Sequence, residues 1–311
     1  MTKKLGVVMD PIASIHYKKD STLAMLWEAQ DRGYEIYYFE QTNLFLQQGK
    51  SFGLARKLRV FHDEKKWFEL DAFQTMPLSD LNLMLMRKDP PVDREYIYTT
   101  YILESAERDG VRIINKPQSL RDANEKMFAM SFPQCCPKTI VTSDMQVLRE
   151  FFHQEKDIIC KPLDAMGGHS VFRLQNNDLN ASVVLEMLTH NGTCFAMAQK
   201  YIPEISEGDK RILLIQGEPM SHALARIPKQ GELRGNLAAG AKGVAKPLSE
   251  RDRWVCQQVG PTLREKGLFF VGIDVIGDYL TEINVTSPTC IRELDEQCGL
   301  NIAGKMFDAL L

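Results

Sequence analysis

Short apolar runs alternate with amphipathic stretches over the first 120 residues of the chain. Apolar runs of strand length lie at Leu5–Met9, Tyr34–Phe39, Leu81–Met86 and Val111–Ile114. Capping residues followed by apolar positions on one helical face occupy Asp20–Gly33, and Tyr96–Arg108 also has a helical pattern. A strand, a helix and a second strand of these lengths predict a parallel β-α-β unit. Because such sheets bind ligands beyond the carboxyl ends of their strands, Asp10, Lys18 and Arg87 are binding candidates.

The pattern changes in the remainder of the chain, where turn residues are more frequent. Helices are predicted over Ser119–Phe132, Asp144–His153 and Leu248–Lys266. Strands are predicted over Thr139–Val141, Ile158–Lys161, Val171–Leu174, Phe195–Ile202, Ile212–Ile215 and Ser221–Arg226. The mixed charged and aromatic segment Lys50–Phe73 gives no assignment.

A glycine-rich loop follows the strand that ends near Lys161. Gly167, Gly168 and Ser170 lie in this loop, and a further strand follows it. Glycines let backbone N–H groups approach an anion, and a lysine adds a point charge, so the arrangement favours a phosphate clamp. A simple hairpin turn is the alternative. The P-loop fold is excluded, because no GxxxxGK[ST] motif is present.

A β-hairpin is predicted near the C-terminal end of the chain. Phe269–Ile276 and Tyr279–Val285 are rich in β-branched and aromatic residues, and Gly277-Asp278 between them is a turn signal. Glu282 and Asn284 are two residues apart, so they share one face of their strand.

The position of Asp274 relative to that face depends on the length of the turn. A two-residue turn places Asp274 opposite Thr281, whereas a three-residue turn places it opposite Glu282, and we expect the longer turn. The two carboxylates would then lie roughly 5 Å apart and repel each other unless a cation lies between them. Two carboxylates and the Asn284 amide oxygen form an oxygen-only set that suits Mg²⁺. A solvated hairpin face is the alternative.

The segment from 227 to 247 is rich in glycine and in basic residues. Its composition predicts a mobile loop that closes over phosphate groups and excludes water from a reactive intermediate. An ordinary surface loop is the alternative.

Composition and charge exclude several classes of protein. The 311 residues carry a net charge of −3, which gives no basic surface for nucleic acid or anionic lipid. No apolar run approaches the ~20 residues that span a bilayer, and the N-terminus predicts a strand, not a signal peptide. The seven cysteines are scattered, which favours reduced thiols in a cytoplasmic protein.

Several long motifs resemble those of bacterial glutathione synthetases, which are ATP-grasp ligases. These motifs are MRKDPP, NKPQSLRDANEK, GDKRILLIQGEP, RGNLAAG and TEINVTSPTCIRE, and the resemblance covers nearly the whole chain. It implies an α/β and α+β fold, in which a Rossmann-like domain precedes a two-lobed ATP-grasp. The implied boundaries are a substrate domain at 1–122, a central subdomain at 123–202 and a catalytic subdomain at 203–311, with the loop at 227–247.

The resemblance also implies roles for individual residues. The metal ligands would be Asp274, Glu282 and Asn284, the set that the hairpin pattern also indicates. Nucleotide would contact Lys126, Lys161, Gly167, Gly168, Ser170, Gln199, Lys200, Tyr201, Ile202 and Asp209. The transferring phosphate and the loop that covers it would involve Arg211, Arg226, Arg234, Asn236 and Gly240. The substrate would be met by Lys18, Arg87, Ser287, Thr289 and Arg292.

The activity implied by the resemblance is the ATP-dependent ligation of glycine to γ-glutamylcysteine through an acyl phosphate. The implied cofactor is Mg²⁺, with Mn²⁺ as a substitute, and the implied assembly is a cytoplasmic homotetramer. Two other functions stay open at this point: an ATP-grasp ligase with a different amino-acid substrate, and a nucleotide-binding scaffold without turnover.

Overall fold

The computed structural model describes residues 2–232, 234–237 and 240–310, which form three β-sheets with helices packed against them. The first sheet contains β1 (Lys4–Met9), β2 (Glu35–Phe39), β3 (Leu44–Gln47), β4 (Lys50–Val60), β5 (Phe68–Pro77), β6 (Leu83–Arg87) and β7 (Arg112–Ile114). Strands β2, β1, β6 and β7 are parallel neighbours in that order, so the predicted β-α-β unit is confirmed.

The first two helices of this domain begin at side-chain caps. Helix α1 (Ser21–Asp31) begins after Asp20, whose carboxylate accepts a hydrogen bond from the Leu23 N–H, and α2 (Arg94–Arg108) begins after Asp93 in the same way. Helix α3 (Pro117–Asp122) follows β7. The apolar faces of these elements supply much of the buried core of the domain.

The unassigned segment Lys50–Phe73 forms most of an antiparallel pair of strands, β4 and β5. Buried residues alternate along β4 at Ser51, Gly53 and Ala55 and resume at Leu58 and Val60. An irregularity in the register between positions 56 and 58 shifts the phase of this alternation. That shift explains why a strict two-residue period does not reveal the strand.

One predicted helix is wrong in its extent. Ser119–Phe132 is not one helix, because α3 ends at Asp122 and a short 3₁₀ turn follows at Phe128–Ser131. The Asn124 side chain accepts hydrogen bonds from the backbone N–H groups of Lys126 and Met127. These bonds offer the backbone an alternative to the helix, so Lys126 lies in a turn.

The second sheet is antiparallel and is covered on one face by two helices. Its strands are β8 (Thr139–Thr142), β9 (Asp157–Pro162), β10 (Phe172–Gln175) and β11 (Ala196–Lys200), in the order β10-β9-β11-β8. The helices are α4 (Met145–Glu155) and α5 (Ala181–Thr189), of which α5 was not predicted. Their apolar residues pack on the sheet around Leu148, Ile158 and Leu185.

The third sheet is also antiparallel and carries the predicted hairpin. Its strands are β12 (Asp209–Ile215), β13 (Glu218–Ile227), β14 (Lys242–Pro247), β15 (Phe270–Ile276) and β16 (Tyr279–Asn284), in the order β14-β13-β12-β15-β16. Helices α6 (Glu250–Glu265), α7 (Ile291–Cys298) and α8 (Ile302–Asp308) complete the described chain. Strand β14 occupies the end of the loop predicted at 227–247, so the segment without regular strand structure is shorter than predicted.

Candidate active site

A cavity of about 340 Å³ is lined by residues of both antiparallel sheets and of the loops beside them. Most of the predicted site residues meet there. Those that line the cavity are Lys126, Lys161, Gly167, Gly168, Gln199, Lys200, Tyr201, Ile202, Asp209, Arg211, Arg226, Arg234, Asn236, Asp274, Glu282, Asn284, Ser287 and Thr289.

The hairpin places its two carboxylates on directly paired positions, for a different reason from the one expected. Asp274 pairs with Glu282, as predicted, but the turn contains only Gly277 and Asp278. The register shifts between Asp274 and Val275, which leaves Thr281 as the extra residue of a bulge. The bulge, and not a longer turn, brings the carboxylates to one face.

Two buried guanidinium groups surround the Asp274 carboxylate. Arg211 donates to it through Nε at 2.5 Å and through its terminal nitrogen at 3.0 Å, and a terminal nitrogen of Arg226 lies 3.0 Å away. The Asn284 amide nitrogen donates to the same carboxylate at 3.2 Å. Burial acts to raise the pKa of Asp274, but the two arginines outweigh it and hold that pKa below its usual range. Protein cations therefore already offset part of the repulsion between the paired carboxylates.

The Asp209 carboxylate has one satisfied and one unsatisfied oxygen. Its Oδ2 accepts from Arg226 at 2.5 Å, whereas Oδ1 is buried without a partner among the described residues. Burial raises the pKa of Asp209. A buried acceptor without a donor costs about 1–3 kcal/mol, so a ligand hydroxyl at this point would be favoured.

The two predicted nucleotide lysines differ in their surroundings. Lys126 lies 3.1 Å from the Glu282 carboxylate and donates to the Ala165 carbonyl at 2.6 Å. Lys161 is 9% exposed and makes no side-chain hydrogen bond or ion pair within the described residues. Burial lowers the pKa of Lys161. A buried cation without an anion is costly, which favours binding of a phosphate beside Lys161.

The glycine loop lies against the segment that precedes β14. Gly168 has a φ of +80°, and a Cβ there would approach within 2.5 Å of Asn236 Oδ1 and 3.0 Å of Arg234 Cδ. Only glycine fits both the conformation and the contact. The two segments therefore close together over one side of the cavity.

The segment after β11 has free backbone groups at two residues that line the cavity. The N–H groups of Lys200 and Tyr201 are already bonded to Lys138 and Asp157 carbonyls. Within the described residues, the Tyr201 carbonyl and the Ile202 N–H have no hydrogen-bond partner. An adjacent acceptor and donor of this kind complement the edge of an adenine ring, and the Arg173 guanidinium lies 3.5 Å from the centre of the Tyr201 ring.

Five predicted site residues do not line the cavity: Lys18, Arg87, Ser170, Gly240 and Arg292. Lys18 is exposed and pairs with Glu64. Arg87 is buried and donates to the Pro288 carbonyl at 2.9 Å, so it contacts the backbone between Ser287 and Thr289, which both line the cavity. Arg292 lies in the first turn of α7 and donates to the carbonyl of Tyr17, in the loop before α1, at 2.9 Å.

Two lining carboxylates were not predicted, Asp89 and Glu125. Asp89 lies in the motif MRKDPP, beside Arg87, and Glu125 lies in NKPQSLRDANEK, beside Lys126. The hairpin donors are compatible with a divalent cation, since they comprise two carboxylates and one amide. Within the described ranges, no cluster of three or more His, Cys, Asp or Glu residues could hold a metal. Non-protein oxygens would therefore have to complete a coordination shell.

Comparison with known proteins identifies the family. The family model of the prokaryotic glutathione synthetase N-terminal domain matches residues 3–121, and that of its ATP-grasp domain matches residues 125–299. The chain belongs to the prokaryotic glutathione synthetase family. It is 59% identical over 310 residues to a glutathione synthetase of Pseudomonas aeruginosa and 57% identical over 307 residues to one of Shewanella oneidensis. These matches cover 100% and 99% of this chain and 98% of each relative.

Solved structures support the fold. A D-cycloserine synthetase, DcsG, matches with a TM-score of 0.68 at 16% identity, covering 99% of this chain and 98% of that one. A RimK domain ATP-grasp protein from Sphaerobacter thermophilus matches with a TM-score of 0.63 at 14% identity, covering 98% of each chain. The predicted fold, an N-terminal domain followed by a two-lobed ATP-grasp, is confirmed. As a member of its family, the chain is an ATP-dependent ligase of glutathione synthesis.

Proposed function

We propose that the cavity ligates glycine to the cysteinyl carboxylate of γ-glutamylcysteine, with an acyl phosphate as the intermediate. One carboxylate oxygen attacks the γ-phosphorus of ATP, and ADP leaves. The glycine amine then attacks the acyl carbon, loses a proton and expels phosphate as the amide bond forms. Arg211 and Arg226 neutralise charge on the phosphoryl group, and Arg234 and Asn236 cover it, so the protein supplies positioning and charge but no nucleophile.

The nucleotide is proposed to lie along one side of the cavity. Adenine pairs with the free backbone groups of Tyr201 and Ile202, beside Gln199 and Lys200, and a ribose hydroxyl donates to the unpartnered oxygen of Asp209. Lys161 and Gly167-Gly168 then contact the phosphates, with Lys126 beside them. The support for this placement is that each free protein group matches a complementary group of ATP.

Mg²⁺ is the proposed cofactor, with Mn²⁺ as a substitute, and Asp274, Glu282 and Asn284 are its proposed ligands. The metal would supply charge neutralisation for the triphosphate. Oxygen-only donors and the need for further oxygen ligands both suit a hard cation that is shared with phosphate. Ser287 and Thr289 are proposed to meet the substrate carboxylate. Lys18, Arg87 and Arg292 lie outside the lining of the cavity, and their contact with substrate stays a prediction.

The thiol of Cys290 is not assigned a chemical role. It is 1% exposed, and burial raises its pKa, so it stays protonated. A structural role at the start of α7 fits this environment better than a nucleophilic one.

The proposed domain limits are 1–122, 123–202 and 203–311. We also propose a cytoplasmic homotetramer, following the family resemblance. The seven cysteines, all within the described residues, are free, which suits a reducing compartment. No helix in the described part of the chain is long and apolar enough to cross a membrane. Light scattering on the purified chain tests the assembly.

The observation that carries the proposal is the convergence of the paired carboxylates, the arginines and the free Lys161 on one cavity. The test is phosphate release from ATP and γ-glutamylcysteine, with and without glycine and with other dipeptides in parallel. We expect turnover that depends on glycine and favours γ-glutamylcysteine. Turnover with another dipeptide alone would assign a different substrate, and no turnover would overturn the proposal.

A further inference from the structure

Glu125 is hydrogen-bonded to the segment that follows β16, the strand that carries Glu282 and Asn284. Its Oε1 accepts hydrogen bonds from the N–H groups of Val285 and Thr286 and from the Thr286 hydroxyl, at 2.9, 3.0 and 2.8 Å. These are three donors on one carboxylate oxygen, and the loss of that oxygen would leave all three without this acceptor. Glu125 thus fixes the backbone just beyond Asn284.

The neighbouring groups of the same turn extend this contact along β16. The Glu125 carbonyl accepts from the Ile283 N–H at 2.9 Å, and the Lys126 ammonium lies 3.1 Å from Glu282. Two consecutive residues, which precede the second sheet, therefore contact Glu282 and Ile283 of β16 and the two residues that follow this strand, Val285 and Thr286. The held segment leads directly into Ser287, which lines the cavity.

We propose that Glu125 is a positioning residue that sets the dipeptide end of the cavity. It acts through the backbone of Val285 and Thr286, which orients Asn284 on one side and the Ser287–Thr289 turn on the other. This inference rests on the proposed function, because it takes Ser287 and Thr289 as the groups that meet the dipeptide. The carboxylate of Glu125 is needed as an oxygen acceptor of fixed position, and its charge is secondary.

The test is a set of Glu125 variants measured against both substrates. In Glu125→Ala the three donors lose their acceptor, so the KM for γ-glutamylcysteine should rise roughly 10- to 100-fold, the range found for residues that orient the ligands of a metal site. The affinity for ATP without divalent metal, measured by equilibrium binding, should be unchanged, because the adenine and ribose contacts lie elsewhere. Glu125→Gln keeps an oxygen for the donors and should restore most of the dipeptide affinity.

Controls separate this role from loss of stability and from failure of the proposed function. Glu104 accepts from Arg121 at 2.6 Å outside the cavity, so Glu104→Ala is a matched loss of a partly buried carboxylate and should leave KM unchanged. If Glu125→Ala does not fold, Glu125→Asp withdraws the acceptor by one methylene and carries the same prediction. If the wild-type protein turns over and the dipeptide KM is unchanged in these variants, the inference is overturned but the proposed function is not. An equal loss in Glu125→Gln and Glu125→Ala, or an equal loss of ATP affinity, would also overturn it.

Discussion

Replacing Asp274 with asparagine should cost the protein both stability and activity. Asp274 is 3% exposed and is bonded to Arg211 and Arg226, which are 5% and 3% exposed. Asparagine preserves the shape but leaves the buried Arg226 with Asp209 as its remaining ion-pair partner and removes the carboxylate that pairs with Arg211. Removing one partner of a buried ion pair typically costs 3–5 kcal/mol, and the retained amide oxygen keeps one acceptor, so we expect about 3 kcal/mol. A total stability of about 5–15 kcal/mol would leave the variant folded.

Glu282→Gln provides the matched comparison. Glu282 is more exposed and has a single ion pair, with Lys126 at 3.1 Å, so its loss should cost about 1 kcal/mol or less. Urea unfolding gives both free energies, and phosphate release should fall at least about 100-fold in both variants, because each loses a proposed metal ligand. If Asp274→Asn unfolds with the free energy of the wild type, the buried ionic network does not have the role described. If either variant keeps wild-type turnover, the metal assignment is wrong.

Three further predictions concern a loop, a half-buried carboxylate and the metal. Gly168→Ala should reduce kcat/KM for ATP at least about tenfold, because its Cβ would meet Asn236. The control is Gly231→Ala, at a φ of +82° with open space around it, which should only add strain of about 1–2 kcal/mol. Equal losses of kcat/KM in the two variants would contradict this. Burial raises the pKa of Asp295 to about 6, so its stabilising contribution is present at pH 4 and is lost as the pH rises through 6. Asp295→Asn should therefore gain stability relative to the wild type between pH 4 and pH 7 in urea titrations, and a constant difference would refute the shift. Removal of divalent metal by EDTA should abolish turnover and Mg²⁺ should restore it; activity that survives complete chelation would exclude the metal.

The sequence was informative where local pattern and long-range structure agree. The β-α-β unit, the strand before Lys161 and the hairpin around Gly277 are all set by local periodicity and turn residues. The pairing of Asp274 with Glu282 was also predicted, but it was attributed to a three-residue turn, whereas a bulge produces it. A bulge inserts one residue without a local composition signal, so turn counting alone cannot detect it.

Contacts between residues far apart in the chain were not predicted from the sequence. Arg211 and Arg226 were assigned to phosphate, and only the folded sheet reveals that they also neutralise Asp274. Glu125 bonds to residues 160 positions away, a separation that no local pattern encodes. Arg292 was expected in the substrate site, but its place on the first turn of α7 directs it toward Tyr17.

The central claim is that the dipeptide carboxylate becomes an acyl phosphate in this cavity. γ-Glutamylcysteine labelled with ¹⁸O in its cysteinyl carboxylate, incubated with ATP, glycine and Mg²⁺, tests it directly by mass spectrometry of the phosphate released. The mechanism predicts one labelled oxygen in each phosphate, because the carboxylate oxygen that attacks phosphorus leaves with it. Unlabelled phosphate, released as glutathione forms, would contradict the mechanism.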